Sequence, residues 1–306
     1  MKKASRIITG LAGAAAGGFG LYTAAGSYMT MKEMLGGKRQ TYEEAIAWQK
    51  EHHDLSWFDE SRAVFYTISG FEDYPLHAMF YPCPEPSDRY MILTHGYTDN
   101  LWGSTKYAKT YLSLGFNCVL YDLRGHGENR PHICTYTVLE SKDLLAVIYD
   151  TRLRYGDGIR IGLHGESLGA STTAAVLGLK PDVEFAVCDC GFSNIYDIIR
   201  GTLDYRGYPA VMADGASLFC GLLHGFSMSE MRPVDRLAGN QVPVLFLHGA
   251  DDNFIPPWHS QVMHIKTAGY SEFHTVPSAG HAKSLETDPE NYGLMIQKFL
   301  KTIEKE

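Results

Sequence analysis

Ile159-Arg160-Ile161-Gly162-Leu163-His164-Gly165-Glu166-Ser167-Leu168-Gly169 is the stretch on which the reading of this chain turns. Ile159, Ile161 and Leu163 alternate as strand residues do, and Ala170 to Leu179, a good helix former, follows at once. Between them Gly165, Ser167 and Gly169 fit the pattern G-x-S-x-G, which demands a sharp strand-to-helix turn. Glycines at both ends of the pattern remove Cβ atoms that would collide there. Such a turn lifts the serine hydroxyl out of the sheet and places it by a helix N-terminus.

Outward from this turn, strand-like runs recur. They are Val64 to Ile68, Leu76 to Tyr81, Tyr90 to Thr94, Cys118 to Tyr121, Ile159 to Leu163, Phe185 to Cys188, Val242 to Leu247 and Phe273 to Val276. Most are short, β-branched or aromatic, and bounded by Gly, Pro, Asp or Asn. Helical faces lie between the later ones: Tyr107, Ala108, Tyr111 and Leu112 ending at Gly115, then Leu144, Leu145, Ile148 and Thr151. A last stripe joins Tyr292, Met295, Ile296, Phe299 and Leu300. Two leading strands and then alternation predict an α/β fold, a mostly parallel eight-stranded sheet with helices on both faces. Ligands bind such sheets beyond the carboxyl ends of the strands. Residues 194–232 break the rhythm with Tyr196, Tyr205, Tyr208, Phe219 and Phe226 and no clean strand, and predict a small helical cap.

A serine hydroxyl needs a base, and the base an orienting acid. After the strand ending at Leu247 comes His248-Gly249-Ala250-Asp251-Asp252-Asn253-Phe254-Ile255-Pro256, and after the last strand comes Gly280-His281. Both segments emerge on the face where the serine does, in the order Ser, Asp, His.

These motifs, with His95-Gly96-Tyr97 and Asp122-Leu123-Arg124-Gly125-His126-Gly127, resemble those of the α/β-hydrolase superfamily. The bacterial serine-aminopeptidase-like and acylglycerol-lipase-like hydrolases are its most similar branches, and the resemblance spans about residues 62 to 300. It implies Ser167 as nucleophile, His281 as base and Asp252 as acid, with Asp251, or Asp189 after the sixth strand, as the alternatives. It also implies an oxyanion hole formed by the backbone N–H groups of Tyr97 and Leu168. His95 and His248 read as turn-packing residues, and Arg124 and His126 as residues that hold a loop. His52-His53 reads as solvated surface, and Glu166 as a permissive position.

The implied reaction is ester hydrolysis through an acyl-enzyme. Peptide cleavage near an N-terminus, with a carboxylate among Asp197, Asp204, Asp214 and Glu230 holding the amine, is the alternative, as is thioesterase or acyltransferase chemistry on the same triad. From another class, the chain could be a catalytically silent, membrane-tethered binding protein. No cofactor or metal is implied. The expected partner is a small-molecule ester or short peptide; the oligomeric state leaves no sequence signal.

A net charge of −8 and the lack of a long Lys/Arg run exclude nucleic acid as a main partner. The six cysteines lack CxxC spacing and read as buried thiols. Three segments follow. Residues 1–30 form a hydrophobic anchor or signal segment: Lys2, Lys3 and Arg6 precede an uncharged run from Ile7 to Thr30 long enough to span a bilayer. Residues 31–61 connect, with a helix over Thr41 to Glu51 opened by a Thr41/Glu44 capping box. Residues 62–306 are the α/β-hydrolase domain with its insertion at about 194–232. The expected location is membrane-anchored, with secretion after cleavage (Thr23-Ala24-Ala25) or a cytoplasmic location as alternatives.

Overall fold

The computed structural model describes residues 2–305, with side chains from Gly17 onward. The chain divides into two compact units, Lys38–Asn194 with Met231–Glu306, and Met1–Gly37 with Ile195–Glu230.

The larger unit holds eight strands: β1 (Val64–Ser69), β2 (Pro75–Tyr81), β3 (Arg89–Thr94), β4 (Asn117–Tyr121), β5 (Arg160–Glu166), β6 (Phe185–Asp189), β7 (Val244–Gly249) and β8 (Ser271–Val276). They form one sheet in the order β1-β2-β4-β3-β5-β6-β7-β8. β2 pairs antiparallel with β1 and β4, and all other neighbours are parallel. All eight expected strands are present. β5 runs three residues past the expected Leu163, because its neighbours keep the ladder going: Gly165 lies opposite Thr94 of β3, and Glu166 opposite Asp189 of β6. β7 begins at Val244, two residues late. Pro243 has no N–H to give, and the Val242 amide is turned to the Asn240 side chain instead.

Helices pack on the sheet where apolar stripes predict them. α3 (Thr105–Ser113) ends before Gly115, which takes the left-handed φ of +82°. With α10 (Pro289–Ile303) it buries Tyr107, Tyr111, Tyr292 and Phe299 against Met91, Leu93 and Leu120 of the sheet. α4 (Glu140–Tyr155), α5 (Leu168–Leu177), α8 (Trp258–Lys266) and the one-turn α9 (Ser284–Thr287) complete the set after α2 (Tyr42–His52). Both halves of the α2 capping box form: the Glu44 amide donates to Thr41 Oγ1 and the Thr41 amide to Glu44 Oε2. The six cysteines are unpaired and buried.

The smaller unit combines α1 (Lys2–Gly36) with α6 (Ile195–Tyr205) and α7 (Val211–His224). Small residues let α1 and α7 approach closely. A Cβ on Gly26 would meet the Met212 side chain, and one on Gly215 would meet Ser27 Oγ. Tyr28 sets its edge on Phe219, and Glu33 pairs with Arg206 at 3.2 Å. Met31, Met34 and Leu35 are buried, while Leu21, Leu218 and Leu222 are exposed.

Among the described residues no single helix is long and apolar enough to cross a membrane. The expected transmembrane helix is thus unsupported there: Gly and Ala dominate the segment, which lowers its mean hydropathy. The first part of the expected span, Ile7 to Ala16, and the flanking Lys2, Lys3 and Arg6 lie outside the residues whose side chains are described.

Candidate active site

β5 ends at Glu166 and α5 begins at Leu168, so Ser167 alone makes the turn between them, at φ +53° and ψ −112°. A non-glycine residue at that φ is strained, and hydrogen bonds hold it. Its amide donates to the Asp189 carbonyl (2.8 Å), and its carbonyl accepts from the Ser171 amide (3.0 Å). The two glycines of the motif are sterically required. A Cβ on Gly165 would stand 2.1 Å from the Gly169 carbonyl oxygen, and one on Gly169 2.1 Å from that of Thr94.

Ser167 Oγ lies 3.0 Å from His281 Nε2, and His281 Nδ1 lies 2.7 Å from Asp252 Oδ2. The serine is thus placed to donate to Nε2 while Nδ1–H donates to the carboxylate. Asp252 is buried. Its Oδ1 accepts from the amides of Phe254 and Ile255, both at 2.9 Å. Burial pushes its pKa up, but the hydrogen bonds from His248 and His281, the His281 ring and the Ile255 amide outweigh that. The carboxyl is held well below the usual carboxylate range.

The alternatives fall elsewhere. Asp251 is exposed. Asp189 is buried among hydroxyls, accepting from Tyr292 (3.0 Å) and Ser284 (3.2 Å). Leu168 opens α5, so its amide has no partner within that helix. Tyr97 follows β3 in the loop that faces the elbow: a Cβ on Gly96 would lie 3.2 Å from Glu166 Oε1 and 3.7 Å from Ser167 Cβ.

A family model described as the alpha/beta hydrolase fold matches residues 90–227. The Bacillus subtilis uncharacterized protein YqkD is 27% identical over 269 residues, 86% of this chain and 88% of that one. Among solved structures, the Pyrococcus furiosus esterase Pf2001 aligns with a TM-score of 0.63 at 19% identity, covering 78% of this chain and 92% of its own. Mouse alpha/beta hydrolase domain-containing protein 10 aligns at 0.61 and 16%, covering 78% and 99%. With the sheet order and the elbow, these decide the fold. The chain has the α/β-hydrolase fold.

In this α/β-hydrolase fold the other motif histidines pack the turns they belong to. His95 Nδ1 donates to the Gly96 carbonyl and Nε2 accepts from the Leu123 amide, and burial pushes the ring's pKa well down. His248 Nε2 donates to the Ile255 carbonyl (2.7 Å) and Nδ1 accepts from Ser260 (2.7 Å), which steadies the Asp252 loop. Arg124 makes a buried two-pronged pair with Asp143, and His126 lies 2.8 Å from the Tyr97 carbonyl.

Glu166, read as a permissive position of the motif, has specific partners, and the reading of His53 needs correction. Glu166 is buried, 2.5 Å from Lys106 Nζ and 2.5 Å from the Tyr107 hydroxyl. His53 is not solvated but half-buried, 3.4 Å from Glu286. Neither contact leaves a local trace, since the partners stand far apart in sequence.

Asp189 supplies a stability test. Burial, with Glu166 nearby, pushes its carboxyl up to about 6, while the Tyr292 hydrogen bond works the other way. Unfolded aspartate titrates near 3.9. Between those values the unfolded chain ionises while the folded chain keeps its proton. Stability from this group is therefore complete below about pH 4, declines as pH rises, and is lost above about pH 6. Between about pH 4.5 and 6.5 the wild-type melting temperature should fall more than that of Asp189→Asn. Equal declines in the two proteins would show that Asp189 is ionised throughout.

Proposed function

We propose that this protein of α/β-hydrolase fold is a serine hydrolase that cleaves carboxylic esters with an apolar acyl group, through an acyl-enzyme on Ser167. The observation that carries the reading is the unbroken chain from Ser167 Oγ through the His281 ring to a buried, ionised Asp252, at 3.0 and 2.7 Å. Ser167 Oγ attacks the ester carbonyl as His281 Nε2 takes its proton. The tetrahedral oxyanion is held by the amides of Tyr97 and Leu168, and on its collapse the proton passes from His281 to the departing alcohol. Water then repeats the sequence, giving up a proton to His281 and releasing the acid and the free serine.

The surroundings favour an ester over a peptide with a free amino terminus. Tyr97 stacks on Tyr136, which edges against Phe192, and the exposed Phe254 ring edges against His281 at 5.1 Å. Such rings suit an apolar acyl chain. Of the carboxylates suggested for an amine, Asp214 accepts from Tyr196 (2.7 Å) and Glu230 from the Ser227 amide (2.8 Å).

The test is kcat/KM across p-nitrophenyl esters of increasing length beside aminoacyl-arylamides. Acyl groups of about two to eight carbons should be preferred, each fitted methylene contributing up to ~0.8 kcal/mol until the pocket is full. Arylamidase activity above esterase activity, or an optimum at about twelve carbons or more, would overturn the substrate assignment while leaving the triad in place.

A further inference from the structure

The segment between α1 and the first strand reaches three of the four turns that carry the proposed chemistry, the Tyr97 loop directly and the elbow and the histidine loop through lysine side chains. On the oxyanion side, the Gln40 amide donates to the Thr98 carbonyl (2.7 Å), and Asn100 Nδ2 donates back to the carbonyls of Gln40 (3.3 Å) and Thr41 (3.2 Å). The Arg39 guanidinium lies over the Tyr97 ring at 5.5 Å while Nη1 donates to the His132 carbonyl (3.0 Å) and to that of Gly125. Gln49 Nε2 reaches the Gly103 carbonyl further along the same loop.

Trp48 of α2 joins the other two loops. Its ring receives Lys106 Nζ at 5.8 Å, and Lys106 pairs with Glu166, the residue before the nucleophile. It also receives Lys283 Nζ at 4.7 Å, two residues beyond His281. Lys283 pairs with Glu286 at 2.7 Å, and His53 at the end of α2 closes on Glu286 from the other side. One half-buried indole therefore lies between two ammonium groups, one tied to the elbow and one to the histidine loop.

We infer that residues Arg39 to His53 form a brace that fixes the three loops relative to one another, with Arg39 and Trp48 as positioning residues. The inference rests on the proposed Ser167 chemistry. The reacting atoms come from separate turns, and a displacement of about 1 Å between them can cost on the order of 100-fold in rate. Arg39 acts on the loop that carries the Tyr97 amide, and Trp48 on the spacing of the elbow and His281.

The test uses the full chain with Arg39→Ala, Arg39→Lys and Trp48→Leu, and reads kcat, KM, the rate of fluorophosphonate labelling, melting temperature and local hydrogen exchange. Arg39→Ala and Trp48→Leu should lower kcat by about 10- to 100-fold with KM within about twofold, and labelling should slow in proportion. Arg39→Lys should recover part of the loss, since an ammonium reaches one carbonyl but does not lie flat on the Tyr97 ring. Exchange should rise in residues 95–104 for Arg39→Ala and 280–286 for Trp48→Leu, with little change in melting temperature. Unchanged kcat and labelling, or a loss matched by exchange rising throughout the chain, would overturn the brace. If the wild type neither hydrolyses esters nor labels, the Ser167 reading fails and exchange alone decides. Loosening confined to those loops supports the brace, and its absence rejects it.

Discussion

Ser167→Ala should remove ester turnover by a factor on the order of 10⁶ and abolish fluorophosphonate labelling, while leaving the fold intact. The size follows from the role: without Oγ no bond forms to the acyl carbon, and only binding and the oxyanion amides remain to assist water. The fold should survive because the bonds that hold the turn are made by backbone. The Ser167 amide on Asp189 and the Ser171 amide on the Ser167 carbonyl stay in place when Oγ is removed. A melting curve and a labelling gel read the two halves separately. Turnover above about one per cent of wild type in a folded Ser167→Ala protein would show that another nucleophile acts.

The second large effect separates neighbours. Asp252→Asn should lower kcat by about 10⁴, whereas Asp251→Asn should stay close to wild type. Asp252 Oδ2 receives His281 Nδ1–H at 2.7 Å. An asparagine amide placed there can present its N–H₂ to Nδ1, which turns the proton to Nε2 and leaves no lone pair to accept from serine. Asp251 is exposed and its carboxylate makes no hydrogen bond to His281. Steady-state kinetics of the two variants decide the matter, and comparable losses at both positions would reassign the acid.

Much of this could be read from the chain alone, for reasons that are local. The sheet was legible because each strand is a short apolar run closed by a turn residue, and the elbow because two glycines are demanded within five residues. That His281 and Asp252 lie near Ser167 could be expected, since each follows a strand whose end lies on the same face. What stayed hidden depends on distance. Lys106 and Glu166 are sixty positions apart and meet only when α3 is laid on the sheet, so their pairing leaves no local signal. Arg39, Trp48 and His53 belong to a segment whose sequence shows a capped helix but nothing about what it covers. The contacts of the N-terminal run were hidden in the same way. Its lack of charge predicts a span, and nothing in it shows that Gly26 and Ser27 meet Met212 and Gly215 of α7.

The turn at Ser167 bears on how such a sequence drifts. At φ +53° and ψ −112° glycine is the residue that folding alone favours. On the proposed chemistry, a lineage released from catalysis would relieve that strain by one substitution and become more stable for it. The serine would then be a position where reactivity is kept against the preference of the backbone.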